Sequence, residues 1–152
     1  MKKNVTIVSS SSKDMMYSIF DEYMHELSQF DPNVKFDDDG HVIYKWFYDY
    51  WQDKSRYPFY YMIDGDIAGI AMVRDMEDGL YEMAEFYVKP EYRGGGNAMD
   101  FATTIIDMFM GNMDISTRHS NPRAIRFWTK VVGKYTFDTH DDEEWRYWLV
   151  KK

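Results

Sequence analysis

Apolar positions along the chain change period several times, and each change marks an element. Residues 5–8 are β-like, and Ser9 to Ser12 make a polar loop leading to a helix start near Asp14. Met16, Phe20, Tyr23, Leu27 and Phe30 then recur at alternating four- and three-residue steps, one stripe of a helix that Asp31-Pro32 ends. Asp37-Asp38-Asp39-Gly40 reads as a solvated loop, because the ligand and glycine spacing of a calcium loop is missing. Between residues 42 and 52, Ile43, Trp46, Phe47 and Tyr50 match helical spacing and predict a second helix. Tyr44, Tyr48 and Trp51 are surplus to its buried face, and serve either packing or the wall of a substrate pocket.

Residues 57–63 and 67–74 are strand-like and flank Asp64-Gly65-Asp66, a sequence that favours a tight reversal. Asp78-Gly79 connects to a third strand over 80–88. Helices are expected over 97–110 and 121–132, with a short strand near 114–117 between them. Residues 135–139 and 145–150 close the chain as two strands joined by an acidic turn. Hairpins mixed with strand–helix–strand units give an α/β mixed sheet. A length of 152 residues fits one domain, 1–152, and 45% hydrophobic with 18% aromatic content can form a core without staples. The absence of cysteine excludes disulfides, thiolate nucleophiles and thiolate-ligated metals.

Charge changes the picture. The net of −8 disfavours DNA or RNA as a partner, since nucleic acid requires a basic footprint, and favours a cationic ligand instead. Residues 88–134, however, carry seven basic side chains (Lys89, Arg93, Arg118, Arg123, Arg126, Lys130, Lys134) against four acidic ones, a net of +3 that leaves −11 elsewhere. One stretch is thus prepared for an anion. The basic N-terminus, Met1 to Val5, is not followed by the apolar stretch of a signal peptide, and no run approaches the roughly 20 apolar residues that cross a bilayer. The expectation is a cytoplasmic protein without a membrane partner, a monomer or a homodimer.

The chemistry-bearing stretch runs from the third hairpin strand into the next helix: Phe86-Tyr87-Val88-Lys89-Pro90-Glu91-Tyr92-Arg93-Gly94-Gly95-Gly96-Asn97-Ala98. Three glycines at a strand-to-helix turn let backbone N–H groups approach a ligand closely. The following helix offers free donors and a partial positive charge at its N-terminus, for which a phosphate is the natural guest. Arg93 at the mouth can add charge-assisted hydrogen bonds. A P-loop is excluded, because Asn97-Ala98 follows the last glycine, and a dinucleotide fingerprint is excluded by Met99.

The pattern R-x-x-G-x-A over Arg93 to Ala98, preceded by V-x-P-E-Y, resembles the pyrophosphate-binding motif of the GCN5-related N-acetyltransferase (GNAT) family. Downstream, Asn121-Pro122-Arg123-Ala124-Ile125-Arg126-Phe127-Trp128 with Gly133 is similar to that family's N-x-x-A-x-x-F-Y…G segment. Asn121, Pro122 and Gly133 also suit a helix cap, first turn and stop on their own. The resemblance implies a GNAT-like mixed, mostly antiparallel sheet of six to seven strands, splayed in the middle and flanked by about four helices. It implies acetyl-CoA as cofactor, no metal, a pantetheine arm pairing with backbone around Phe86, Tyr87 and Val88, and a pyrophosphate on Gly94, Gly95, Gly96, Asn97 and Ala98 with Arg93 nearby. Asn121, Ala124, Phe127 and Trp128 would flank the coenzyme.

Acetyl transfer to an amine requires a neutral nitrogen, and an alkyl amine with a pKa of ~10 is protonated at neutral pH, so a base is needed. Glu82 and Glu85 are the candidates. Strict alternation points them to opposite faces unless a bulge shifts the parity. Glu82 falls eleven residues before Arg93, where the base of some family members lies, and is slightly favoured, with a water relay open to it; Glu85 is nearer the thioester. Where the family often has a tyrosine that protonates the departing thiolate, this chain has Trp128, a poor acid, leaving Tyr135, Tyr92 or a water. His119 is a further base or acid candidate. The expected reaction is direct acetyl transfer to a primary amine of a small molecule or peptide, with a cationic acceptor such as a polyamine, aminoglycoside or lysine-like amine. The alternative is a catalytically degenerate acyl-CoA-binding or sensor protein. Met15, Met16, Met24, Met62, Met72 and Met83 fall in segments that could border the acceptor.

Overall fold

The computed structural model describes residues 1–152. Its strands are β1 (Lys3–Ile7), β2 (Arg56–Ile63), β3 (Asp66–Asp75), β4 (Leu80–Val88), β5 (Asn112–Arg118), β6 (Thr136–Asp141) and β7 (Trp145–Lys151), and its helices α1 (Lys13–Leu27), α2 (Asn97–Met108) and α3 (Pro122–Val132). The strands form one seven-stranded sheet in the order β1-β2-β3-β4-β5-β7-β6. All pairs are antiparallel except β4 with β5. The Asp-Gly reversals work as expected: Asp64 and Gly65 both adopt positive φ (50° and 87°), the twist that a tight hairpin between β2 and β3 requires. No helix is long and apolar enough to cross a membrane.

The sheet is covered on both faces. On one, Phe101, Ile105 and Ile106 of α2 and Trp128, Val131 and Val132 of α3 pack with Phe59, Tyr61, Val73 and Met83. On the other, Met16, Ile19, Phe20 and Met24 of α1 pack with Tyr60, Ile70, Met72 and Tyr87. Met16, Phe20 and Tyr23 lie on the expected stripe, but α1 ends at Leu27, short of Phe30.

There are three α-helices rather than about four, because the helix expected over residues 42–52 does not form. Only a short 3-10 turn, Tyr48–Trp51, is helical. Its rings have two destinations: Phe47 and Tyr50 enter the α1-side core, whereas Tyr44 and Trp46 face a cleft. A single helical stripe cannot serve both, and the extended bridge of Phe36 with Val42 starts the segment in a non-helical conformation.

The feature that makes the site is the end of one strand pairing. β4 and β5 pair only through Leu80–Asn112, Tyr81–Met113 and Glu82–Asp114. Beyond that, β4 continues on β3 and β5 on β7. The sheet therefore splays, and the backbone of β4 from Met83 onward has no strand partner on its β5 side.

Candidate active site

The gap between the diverging strands opens into a cleft of about 730 Å³, lined mainly by apolar side chains. Met83 to Val88 of β4 form one wall, Ile115 to Arg118 of β5 the other, and Ala98, Ala124, Phe127 and Trp128 border it from α2 and α3. Phe86 sits among Phe101, Trp128 and Phe127 at ring-centroid distances of 5.0, 5.1 and 5.5 Å, which fixes the β4 wall by aromatic packing. Trp128 is buried (6% exposed), belongs to this packing and also lines the cleft.

A β-bulge decides the direction of the two glutamates. Met72 pairs with Glu85 but the next residue, Val73, pairs with Met83, so Ala84 is the extra residue of β4. The parity flip turns Glu82 and Glu85 to the same, α1-side face, where strict alternation opposed them. They are not equivalent there. Glu82 is in an ion pair with Arg74 at 3.1 Å. Glu85 accepts hydrogen bonds from the phenols of Tyr23 (2.8 Å) and Tyr44 (3.2 Å) and lines the cleft. Burial pushes the Glu85 carboxyl up to about 7, against the lowering effect of both phenols; the nearby charges of Glu82 and Asp31 add to the rise. Burial and the Glu85 charge in turn raise both phenols, keeping them protonated donors.

At the other end of the cleft, Gly94, Gly95 and Gly96 all take positive φ (89°, 62° and 82°), a left-handed run that only glycine adopts without strain. The amides of Gly94, Gly95, Gly96, Ala98 and Met99 donate to no atom of the chain, and no side chain caps α2. A Cβ at any of the three glycines would meet no heavy atom within 4 Å. The turn is thus an open ring of unpaired donors at a helix N-terminus, the arrangement that binds an anionic oxygen cluster.

Several residues picked from the sequence are engaged elsewhere in the chain. The Arg93 guanidinium holds Glu26 of α1 through two hydrogen bonds of 2.8 and 2.7 Å, and its Nε donates to the Val88 carbonyl at 2.9 Å. Arg123 joins the same carboxylate at 3.1 Å. Although burial pushes it up, these two arginines hold the Glu26 carboxyl below its ordinary value. Asn97 accepts from Lys3 Nζ (2.7 Å) and donates to the Tyr92 carbonyl (2.9 Å), bracing the glycine turn against β1. Asn121 caps α3 by accepting from the Ala124 amide at 3.2 Å. His119 contacts the Asp142 carbonyl at 3.1 Å on the β6–β7 hairpin, and Tyr135 donates to Asp107 at 2.9 Å; neither these nor Tyr92 lines the cleft. Of the six methionines, Met24 and Met83 line it. Tyr44, one of the surplus rings, does form part of the cleft wall, but its pairing with Glu85, and Tyr23 as a site residue at all, have no sequence signal because they come from distant segments and only the fold joins them.

The acetyltransferase (GNAT) family model matches residues 15–133. The chain belongs to the GNAT acetyltransferase family. Solved GNAT-fold structures superpose over nearly its whole length. An acetyltransferase from Thermus thermophilus is 10% identical, with a TM-score of 0.74 over 100% of this chain and 98% of that one. The yncA protein of Salmonella typhimurium, solved with its cofactor acetyl-CoA, is 12% identical, with a TM-score of 0.68 over 99% and 94%. The PaiA N-acetyltransferase of Thermoplasma acidophilum, in complex with coenzyme A, is 12% identical, with a TM-score of 0.68 over 100% of both chains. No curated protein matches the sequence. The GNAT assignment accounts for the splayed sheet and the glycine turn together.

Proposed function

We propose that this GNAT protein is a cytoplasmic, acetyl-CoA-dependent N-acetyltransferase that moves the acetyl group directly to a primary amine of a small molecule or peptide, with Glu85 taking the amine's proton. The observation that carries this is Glu85 itself, a carboxylate raised to about 7 by burial and aimed into the cleft where the strands part. A base with that pKa is substantially ionised at neutral pH yet holds a proton well enough to remove one from an ammonium group. Glu82, tied to Arg74, is the weaker candidate.

The cofactor fits the residues present. The unpaired amides of Gly94, Gly95, Gly96, Ala98 and Met99 receive the diphosphate. The unpartnered edge of β4 at Phe86, Tyr87 and Val88 receives the amides of the pantetheine arm, and Ala124 and Phe127 flank it. When bound, acetyl-CoA supplies an activated thioester. Glu85 keeps the attacking nitrogen neutral, while Tyr23 and Tyr44 orient its carboxylate. The cleft has no dedicated acid in the place of Trp128, and none is required: a thiol with a pKa of about 8.5 departs as thiolate near neutrality.

Free-thiol release from acetyl-CoA across a panel of amines tests this directly, and turnover with at least one amine is expected. Trp128 favours one second reading, an acyl-CoA-binding or sensor protein. Calorimetric binding of CoA with no thiol release on any amine would establish that role instead, and no heat with CoA would remove both.

A further inference from the structure

A second, smaller pocket of about 260 Å³ shares Tyr44, Trp46, Met83, Ala84, Glu85 and Ser116 with the main cleft but includes nothing near the glycine turn. It reaches Glu85 from the opposite end, and two arginines line it. Resting on the acetyltransferase reading, we infer that the acceptor is a zwitterion: its amino group faces Glu85, and a carboxylate a few atoms away is held by Arg56 and Arg74.

The arrangement follows from strand register. Arg56 on β2 is the ladder partner of Arg74 on β3, Arg74 that of Glu82 on β4, and Glu82 that of Asp114 on β5. Four charges therefore cross the sheet in one row, two positive and then two negative. Like charges directly opposite each other destabilise a ladder, so the Arg56–Arg74 pair is a local conflict that an anion between them relieves.

Their donors are available. Arg74 donates to Glu82 at 3.1 Å and makes no other hydrogen bond. Arg56 makes one long contact, Nε to Asp53 at 3.4 Å, and Asp53 already accepts from the amide and hydroxyl of Ser55. The outer edges of both guanidinium groups are unpaired, the fork that a carboxylate fills with two parallel bonds. Beneath Arg56, with the guanidinium 5.3 Å from its ring centre, Tyr50 buries a hydroxyl that has no hydrogen-bond partner. Tyr50 is only 3% exposed and lies behind the pocket lining, so its ring supports the Arg56 side chain from the core side.

The other end of the pocket is anionic, with Glu82 and Glu85 converging on the bulge. A polyamine would set its second ammonium against two arginines, whereas a molecule bearing one amine and one carboxylate meets the opposite charge at each end. Trp46, 46% exposed, forms an apolar wall for the acceptor's side chain.

The test is steady-state thiol release with amino acids, each set against its own carboxamide, and with spermidine and 1,4-diaminobutane. Acids are expected to exceed their amides in kcat/KM by about tenfold to a hundredfold, the usual scale for a lost charged hydrogen bond. In Arg74→Gln and Arg56→Gln that ratio should fall toward one, and melting curves show whether either variant is folded. Amides or polyamines turned over as well as the acids would overturn the inference. If nothing is turned over, calorimetry in the presence of CoA decides: tighter binding of the acid than of its amide sustains the anion site while removing the catalytic reading, and equal binding removes the site.

Discussion

Glu85 is the proposed base, and its surroundings set two measurable pH dependences. Removing the general base in Glu85→Gln should lower kcat by on the order of a hundred- to ten-thousand-fold. In the native enzyme kcat should rise with pH through a single ionisation near 7, the value to which burial lifts this carboxyl, and that limb should vanish in the variant. Glu82→Gln should retain it. The stability effect has the opposite sign. Because the folded pKa lies above the ordinary 4.5, the folded protein binds the proton more tightly than the unfolded chain between about 4.5 and about 7. Stability contributed by this group is therefore present in acid and lost as pH rises through that window, so the melting temperature of Glu85→Gln should gain on the native protein from pH 5 to pH 8. The sequence carried both glutamates as candidates, but their alternation misdirected one of them. The bulge at Ala84 is a property of the β3–β4 register, and nothing local to Glu-Met-Ala-Glu announces it.

The glycine turn and the end of α1 meet across the cleft, and their connection is more than a scaffold. Gly95 needs a positive φ of 62°, so Gly95→Ala pays about 1–2 kcal/mol in backbone strain or loses the turn. CoA affinity by calorimetry should drop roughly fivefold to thirtyfold, while the KM for S-acetylpantetheine, which lacks the diphosphate, stays constant. Glu26 engages Arg93 and Arg123, two cations beside the place proposed for that diphosphate. Carboxylate and diphosphate compete for the same donors. Glu26→Gln should therefore tighten CoA binding and at the same time lower thermal stability, by about 1 kcal/mol given that both side chains of the Glu26–Arg93 pair are roughly a quarter exposed; weaker CoA binding in that variant would assign Arg93 a purely structural role. The glycine turn, α2, α3 and the hairpins were legible because Gly, Asn-Pro and Asp-Gly impose local backbone chemistry. The stretch over 42–52 was not, since its aromatic spacing satisfies a helix while tertiary packing divides its rings between core and cleft.

The whole molecule is a charged body with the proposed anion site on one side, and the two scales of charge compete. The chain as a whole is at −8, while residues 88–134 carry +3. That segment's advantage is smaller in the fold than in the sequence, because Glu26 engages Arg93 and Arg123, and Asp31 and Glu144 engage Arg118. These partners come from α1, its following loop and the β6–β7 turn, so the reduction could be seen only once strand order was known; the insertion of β7 between β5 and β6 is itself a non-local choice. What remains at the glycine turn is mostly backbone donors, whose partial charge acts at contact distance. Salt then discriminates between the two. If contact-range donors and the nearby cations dominate, raising ionic strength, which shortens the Debye length from about 30 Å at 0.01 M to about 3 Å at 1 M, should weaken acetyl-CoA binding only severalfold. If the −8 of the body dominates, the same titration screens its repulsion of an anionic cofactor and binding tightens. The expected result is the first, read as the KM for acetyl-CoA against ionic strength with S-acetylpantetheine as the uncharged reference, because the donors and nearby cations act at contact distance and outweigh carboxylates spread over the surface.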